Sequence, residues 1–234
     1  MTVLQTLDRG LRALKAVADA PAGLSVADIA AHLSVDRAIA YRIVATLELH
    51  GLVVRRPGGR LHLGAGVLAL EGRFEPQFRQ VARPHLEQLA RDAGATAFLS
   101  VAEGEESVAV EVAEPGTRLL RVGYRVGSRH PLHLGAAGVA ILAGRPEAPG
   151  DSEAVRTARR RGHAVTRGEL QPGAVGVACP LRRIERAGGA FEACVGVVAM
   201  EDLDIDAAVP LVRDCADALS SVLAGPDAPG GADR

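Results

Sequence analysis

The chain has 234 residues, enough for two modest domains or one large one, and 48% of them are hydrophobic, so a packed core is within reach. Aromatic residues make up only 3% and tryptophan is absent, which leaves Ala, Val, Leu and Ile to build that core. The net charge of −1 excludes a basic tail or a molecule-wide basic field, although the first 72 residues carry eight Lys and Arg against six Asp and Glu.

Leu4, Leu7, Leu11, Leu14 and Val17 recur at helical spacing and predict an amphipathic first helix, ended by Pro21-Ala22-Gly23. Ser25 and Asp28 form an S-x-x-D capping box at the head of a second helix, whose buried stripe is Val26, Ile29, Ala30 and Leu33. After a turn at Ser34-Val35, Asp36 is positioned to cap a third helix from Arg37 to Leu49. Its inner stripe is Ile39, Ala40, Ile43, Val44 and Leu47, and Gly51 stops it. Two apolar runs, 52–54 and 60–63, flank Pro57-Gly58-Gly59 and predict a hairpin. Three helices followed by a hairpin are the winged helix-turn-helix order, assigned to residues 1–64.

Val67, Leu68 and Leu70 predict a linker helix within residues 65–76. A longer helix over 77–93 follows, with Val81, Leu86 and Leu89 inward and a kink at Pro84. Strands are expected over 96–102 and 107–112, around a turn where Gly104 is free to take a positive φ, and a third over 119–124. Helices are expected over 134–143, 153–161 and 205–223. The near-continuous apolar runs 175–181 and 194–200 read as central strands. Residues 77–224 therefore form a sensor-like α/β sheet covered by helices, and the fold class is α+β. The Gly/Pro/Asp-rich residues 225–234 are expected to be a disordered tail.

A helix that enters the major groove buries one stripe and turns the other towards bases and phosphates. With Ile43 inward, a step of about 100° per residue points Ala38, Tyr41 and Ala45 outward and sets Arg37 and Arg42 on the flanks. Small Ala38 and Ala45 permit close approach. Tyr41 can bond a phosphate or a base edge, Arg37 can reach a guanine or a phosphate, and Arg42 grips the backbone. The capped head of the second helix offers amides near Ser25 to a phosphate, and Arg55, Arg56 and Arg60 decorate the wing. Basic residues on a hairpin tip can equally be a solvated face. It is the order of the elements that favours double-stranded DNA as the partner.

These segments resemble the IclR family of bacterial transcriptional regulators along nearly the whole chain. In the first domain the resemblance is carried by residues 7–14, 41–51 and 61–64. In the second it is carried by Gly127, His130-Pro131-Leu132-His133, Ala136-Ala137-Gly138, Ile141-Leu142-Ala143, Gly162-His163-Ala164, Glu169 and residues 173–180. The resemblance implies a homodimer, often paired into a dimer of dimers, on a palindromic operator. It also implies a GAF-like C-terminal domain that binds a small-molecule effector. The implied pocket lies between helix 134–143, the loop from Thr166 to Glu169 and the strands at Gly176 and Gly196. Leu134, Ala136, Ala137, Val177 and Val195 would line it. Tyr124, His133, Thr166, Glu169 and Cys179 would be its polar groups, and the helix after His133 can offer amides to a carboxylate.

The sequence departs from the family pattern in places. Ala38 and Ile39 stand where hydroxyls usually precede the third helix, and Val139 stands where Lys or Arg is usual. Gly176, Gly196 and Val198 occupy pocket positions that are often polar. These departures imply a small apolar or weakly acidic organic effector rather than a simple dicarboxylate.

Two other readings stay open. One is a regulator with a degenerate sensor that acts through protein contacts; a filled interior would favour it over an open cavity with polar groups. The other is an enzyme with Cys179 and a histidine as nucleophile and base, for which no third orienting residue stands at motif spacing. Cys179, Cys194 and Cys215 are widely spaced in apolar surroundings and do not suggest a disulfide framework, and no Cys or His pair has zinc-ligand spacing. No catalytic residue, metal or cofactor is expected. With no leader pattern and no run of about 18 apolar residues, a cytoplasmic protein without membrane contact is expected.

Overall fold

A computed structural model of the chain describes residues 3–71, 76–116, 123–182, 184–186, 189–200 and 203–224. The chain divides into two compact units, Met1–Pro76 and Gln77–Arg234.

The first unit runs α1 (Gln5–Ala18), α2 (Val26–Leu33), α3 (Arg37–Leu49), the hairpin β1 (Val53–Arg55) and β2 (Leu61–Leu63), then α4 (Gly66–Glu71). Its core joins Ala13 and Val17 of α1 to Ile29 and Leu33 of α2, Ile43, Val44 and Leu47 of α3, and Val53 and Leu61 of the hairpin. The capping box forms as expected: the Ser25 hydroxyl accepts from the Asp28 amide at 3.1 Å, and the Asp28 carboxylate accepts from the Ser25 amide at 2.8 Å. Asp36 occupies the N-cap of α3 but makes no side-chain cap hydrogen bond, so its role there is positional only. The apolar stripe of α1 is buried only at its C-terminal end. Val17 is in the core, whereas Leu4, Leu7 and Leu11 are 75%, 59% and 50% exposed. They edge a groove of about 560 Å3 with Ile43, Leu47 and Leu52.

The second unit opens with α5 (Pro76–Ala93), which contains Pro84, and continues β3 (Thr96–Glu103), β4 (Glu106–Ala113), β5 (Arg129–Pro131), α6 (Gly135–Gly144), α7 (Glu153–Arg161), β6 (Ala164–Arg167), β7 (Ala174–Pro180), a separate small hairpin of β8 (Ile184–Arg186) and β9 (Gly189–Phe191), β10 (Ala193–Met200) and α8 (Ile205–Ala224). Six strands pair antiparallel in the order β5-β4-β3-β10-β7-β6. Helices α5 and α8 cover one face with Val175, Val177, Cys179, Val195 and Val197. Helices α6 and α7 cover the other with Phe98, Ala178 and Cys194. Strands β7 and β10 are buried on both faces, which is why their sequences run apolar without alternation. The buried carboxylate of Glu111 on β4 accepts from Arg79 Nε at 2.9 Å and pairs with Arg83 at 3.4 Å, tying α5 to the sheet.

The short strands β5 and β6 were not expected, because three or four residues carry no periodic signal. Of the strand expected over 119–124, residues 119–122 lie outside the described residues, as does the 225–234 tail; Tyr124 is described and is not in a strand. Among the described residues no helix is long and apolar enough to cross a membrane.

Candidate nucleic-acid interface and ligand cavity

On α3 the inward stripe is buried and Arg37, Ala38, Tyr41, Arg42 and Ala45 are all exposed, with Tyr41 at 56%. A tyrosine that exposed on a helix lacks a partner within its own fold. Among the described residues Arg37, Arg42 and Arg56 enter no ion pair, so their guanidinium groups are unengaged. The other two wing arginines are engaged. Arg55 pairs with Glu48 of α3 at 3.3 Å, and Arg60 donates to the Gly23 carbonyl at 2.9 Å and lies 3.7 Å from Asp28. Those contacts hold the hairpin against the helices. The head of α2 also differs from expectation. The Ser25 amide is consumed by Asp28, and the Asp28 carboxyl is held below its usual range, chiefly by hydrogen bonds from the Ser25 backbone and side chain. An ionised carboxylate therefore sits where a phosphate was expected.

In the second unit a cavity of about 250 Å3 opens between α6, β6, the loop after it and the α6-facing side of the sheet. Of the residues expected there, it brings together Tyr124, Ala136, Ala137, Thr166, Glu169, Gly176 and Val198. It adds Phe98, His130 and Leu170, which the sequence reading did not select. Six expected residues do not line it. His133 is exposed in the turn before α6, and Leu134 is the half-buried N-cap of that helix. Val177, Cys179 and Val195 face α5 and α8 from the opposite side of the sheet. Gly196 lies beneath the Phe98 ring: a Cβ there would stand 2.5 Å from Phe98 Cζ.

The polar groups of the cavity cluster at two places. At one, the Tyr124 hydroxyl lies 3.2 Å from Ser100 Oγ and 3.5 Å from His130 Nε2, and its ring stands 5.0 Å from Phe98. Burial pushes the Tyr124 phenol up, so it stays protonated at any physiological pH. Outside the lining, the Ser107 hydroxyl, opposite His130 in the β4–β5 register, is buried with no hydrogen-bond partner among the described residues. At the other place, Glu169 accepts from the Gly135 amide at 2.8 Å, at the N-terminus of α6. Gly135 has φ +74°, and a Cβ there would meet Leu170 at 2.5 Å, so this turn requires glycine. Arg129 also borders the cavity, but its guanidinium is held by Glu103 at 2.9 Å and Glu106 at 3.0 Å.

The cysteines are free and buried, and burial pushes the Cys179 thiol up to about 11, which keeps it an un-ionised thiol away from the cavity. Among the described residues no group of three His, Cys, Asp or Glu could hold a metal ion.

Comparison with known proteins aligns both units with one family. Residues 6–57 match the IclR helix-turn-helix domain and residues 75–155 match the C-terminal domain of bacterial IclR transcriptional regulators. The chain is 32% identical over 248 aligned positions to the glycerol operon regulatory protein of Streptomyces griseus, covering 93% of this chain and 95% of that one. It is 29% identical to the HTH-type transcriptional regulator XynR of Escherichia coli, over 61% of this chain and 58% of that regulator. Among solved structures, a regulator from Rhodococcus sp. RHA1 superposes with a TM-score of 0.71 at 25% identity, covering 95% of this chain and 99% of that one. An IclR homologue from Microbacterium hydrocarbonoxydans, complexed with 4-hydroxybenzoate, superposes with a TM-score of 0.75 at 24% identity, covering 93% and 98%.

Proposed function

The chain belongs to the IclR family of bacterial transcriptional regulators, and from that premise we propose that it reads a palindromic operator as a homodimer under control of an organic effector bound in the 250 Å3 cavity. The observation that carries the DNA-reading assignment is the outward face of α3. Tyr41, Arg37 and Arg42 are exposed and unpaired among the described residues, and Ala38 and Ala45 are small enough to let the groove edge come close. Arg56 supplies the wing's phosphate contact. Arg55 and Arg60 hold the hairpin in place, and Ser25 acts as a cap rather than a phosphate ligand.

The dimer reading rests on the unburied stripe of α1. Leu4, Leu7 and Leu11 with their groove form a contiguous apolar surface that a second copy of the chain would cover. Two such dimers would pair on longer operators. In this reading residues 1–64 bind DNA, 65–76 link, and 77–224 sense, in the cytoplasm. An open cavity with convergent polar groups supports a working sensor over a degenerate one. So does the 4-hydroxybenzoate held by the Microbacterium homologue.

Selection from a random duplex pool at fixed salt tests the reading. Two inverted half-sites about one helical turn apart are expected to emerge. A pool that stays random, or one enriched in a single unpaired half-site, would contradict it.

A further inference from the structure

We propose that Asp36, at the head of α3, is a specificity-determining residue that accepts a hydrogen bond from the amino group of one cytosine in each operator half-site. The inference rests on the reading of α3 as the helix that enters the major groove.

The fold makes no use of the Asp36 carboxylate. Asp36 holds the N-cap position of α3 with an extended backbone, φ −63° and ψ 149°, yet its side chain caps nothing. Its backbone carbonyl takes the Ile39 and Ala40 amides at 3.0 and 3.1 Å. An N-cap side chain ordinarily accepts from the second or third amide of its helix, as Ser25 does from Asp28 at the head of α2. Other carboxylates of this unit are matched to arginines. Asp8 lies 3.9 Å from Arg12, Asp28 lies 3.7 Å from Arg60, and Glu48 lies 3.3 Å from Arg55. Asp36 is exposed and enters no ion pair or side-chain hydrogen bond among the described residues, although Arg37 follows it in the chain.

The N-terminal residues of a reading helix are the ones that reach base edges. Phosphates on either side of the groove repel a carboxylate there, so Asp36 would weaken binding to every sequence unless a base donates to it.

A carboxylate only accepts hydrogen bonds. In the major groove guanine shows the acceptors N7 and O6, thymine shows the acceptor O4 and a methyl group, and adenine shows a donor beside the acceptor N7. Cytosine alone shows an amino donor, N4, with no acceptor beside it. Asp36 therefore favours cytosine over the other three bases. Arg37 has the opposite requirement and suits the acceptors of guanine. Side by side, the two residues make the head of α3 a reader of G·C pairs.

Selection from a random duplex pool, run in parallel for the unmodified chain, Asp36→Asn and Asp36→Ala, tests the proposal. The unmodified chain is expected to enrich cytosine at one fixed position of each half-site. Exchanging that C·G pair for T·A should weaken its binding by about tenfold, the scale of one base-edge contact. Asn is as good an N-cap as Asp, so Asp36→Asn keeps the helix head and decides the matter if the alanine variant fails to fold. It should switch that position alone from cytosine to adenine, whose N6 and N7 suit the Asn amide. Asp36→Ala should leave the position without preference. If both variants select the same sequence as the unmodified chain, with equal affinity or with tighter binding to all DNA, the role of Asp36 is overturned and α3 still stands as the reading helix. A pool that stays random for the unmodified chain would overturn the reading of α3 as well.

Discussion

Arg56 differs from its two neighbours on the wing in having no acidic partner among the described residues, and that difference sets what each arginine can do. Arg55 spans to Glu48, and Arg60 bridges to Gly23 and Asp28. Arg56→Ala is therefore expected to weaken binding evenly across DNA sequences and to lower the log–log salt slope by about one. Arg60→Ala should leave the slope nearly unchanged and cost less than about 1 kcal/mol of stability, as exposed pairs do. Affinity measured at several salt concentrations separates the two. Asp28 adds a pH signature. Its folded-state pKa is depressed, so its contribution to stability is complete above the ordinary carboxylate value and is lost as pH falls through the lowered one. Asp28→Asn should remove that part of the acid sensitivity, as read from unfolding midpoints against pH. Residue identity was the hardest level to read from sequence. His130 and His133 stand three apart in one motif, and only the three-residue strand β5 decides that His130 points into the cavity and His133 does not. Cys179 is different, since strand parity was available: three residues from Gly176 is an odd number, so the two face opposite sides of β7.

At the scale of elements, α6 is the piece whose composition is best explained by its neighbours. It is built of Gly and Ala because it crosses close to the turn that precedes it, and a Cβ on Gly138 would stand 2.3 Å from the Leu132 carbonyl oxygen. Gly138→Ala is expected to destabilise the second unit by about 1–3 kcal/mol, visible as a lower urea midpoint with the slope unchanged. The long elements were legible because burial imposes a period on them. The inner stripe of α3, the capping box of α2 and the basic α7 stand where their patterns predict. Elements too short to show a period, β5 and β6, were not legible. The α1 stripe was legible as apolar, but a pattern cannot say what covers it, and in the chain alone nothing covers Leu4, Leu7 and Leu11.

For the whole molecule, the proposed homodimer would make that uncovered stripe and the outward face of α3 one device, since a palindromic site needs two copies of the same reading helix. Leu7→Glu with Leu11→Glu is expected to shift the sedimenting species towards monomer and weaken operator binding, with the helical content of the first unit retained. A dimer that persists unchanged would place the interface elsewhere. The order of elements was readable from the sequence as a whole: three helices, a hairpin, further helices, then strands alternating with helices. The cavity's membership was not readable, because it depends on Phe98 lying over Gly196 across paired strands far apart in the sequence. The most direct test of the central claim is the ratio of operator to non-specific DNA affinity, measured at one salt concentration, for the unmodified chain and for Arg37→Ala and Tyr41→Ala. Each substitution is expected to cost about 1–3 kcal/mol on the operator and much less on non-specific DNA, collapsing the ratio. A ratio unchanged in both variants would contradict α3 as the helix that reads DNA.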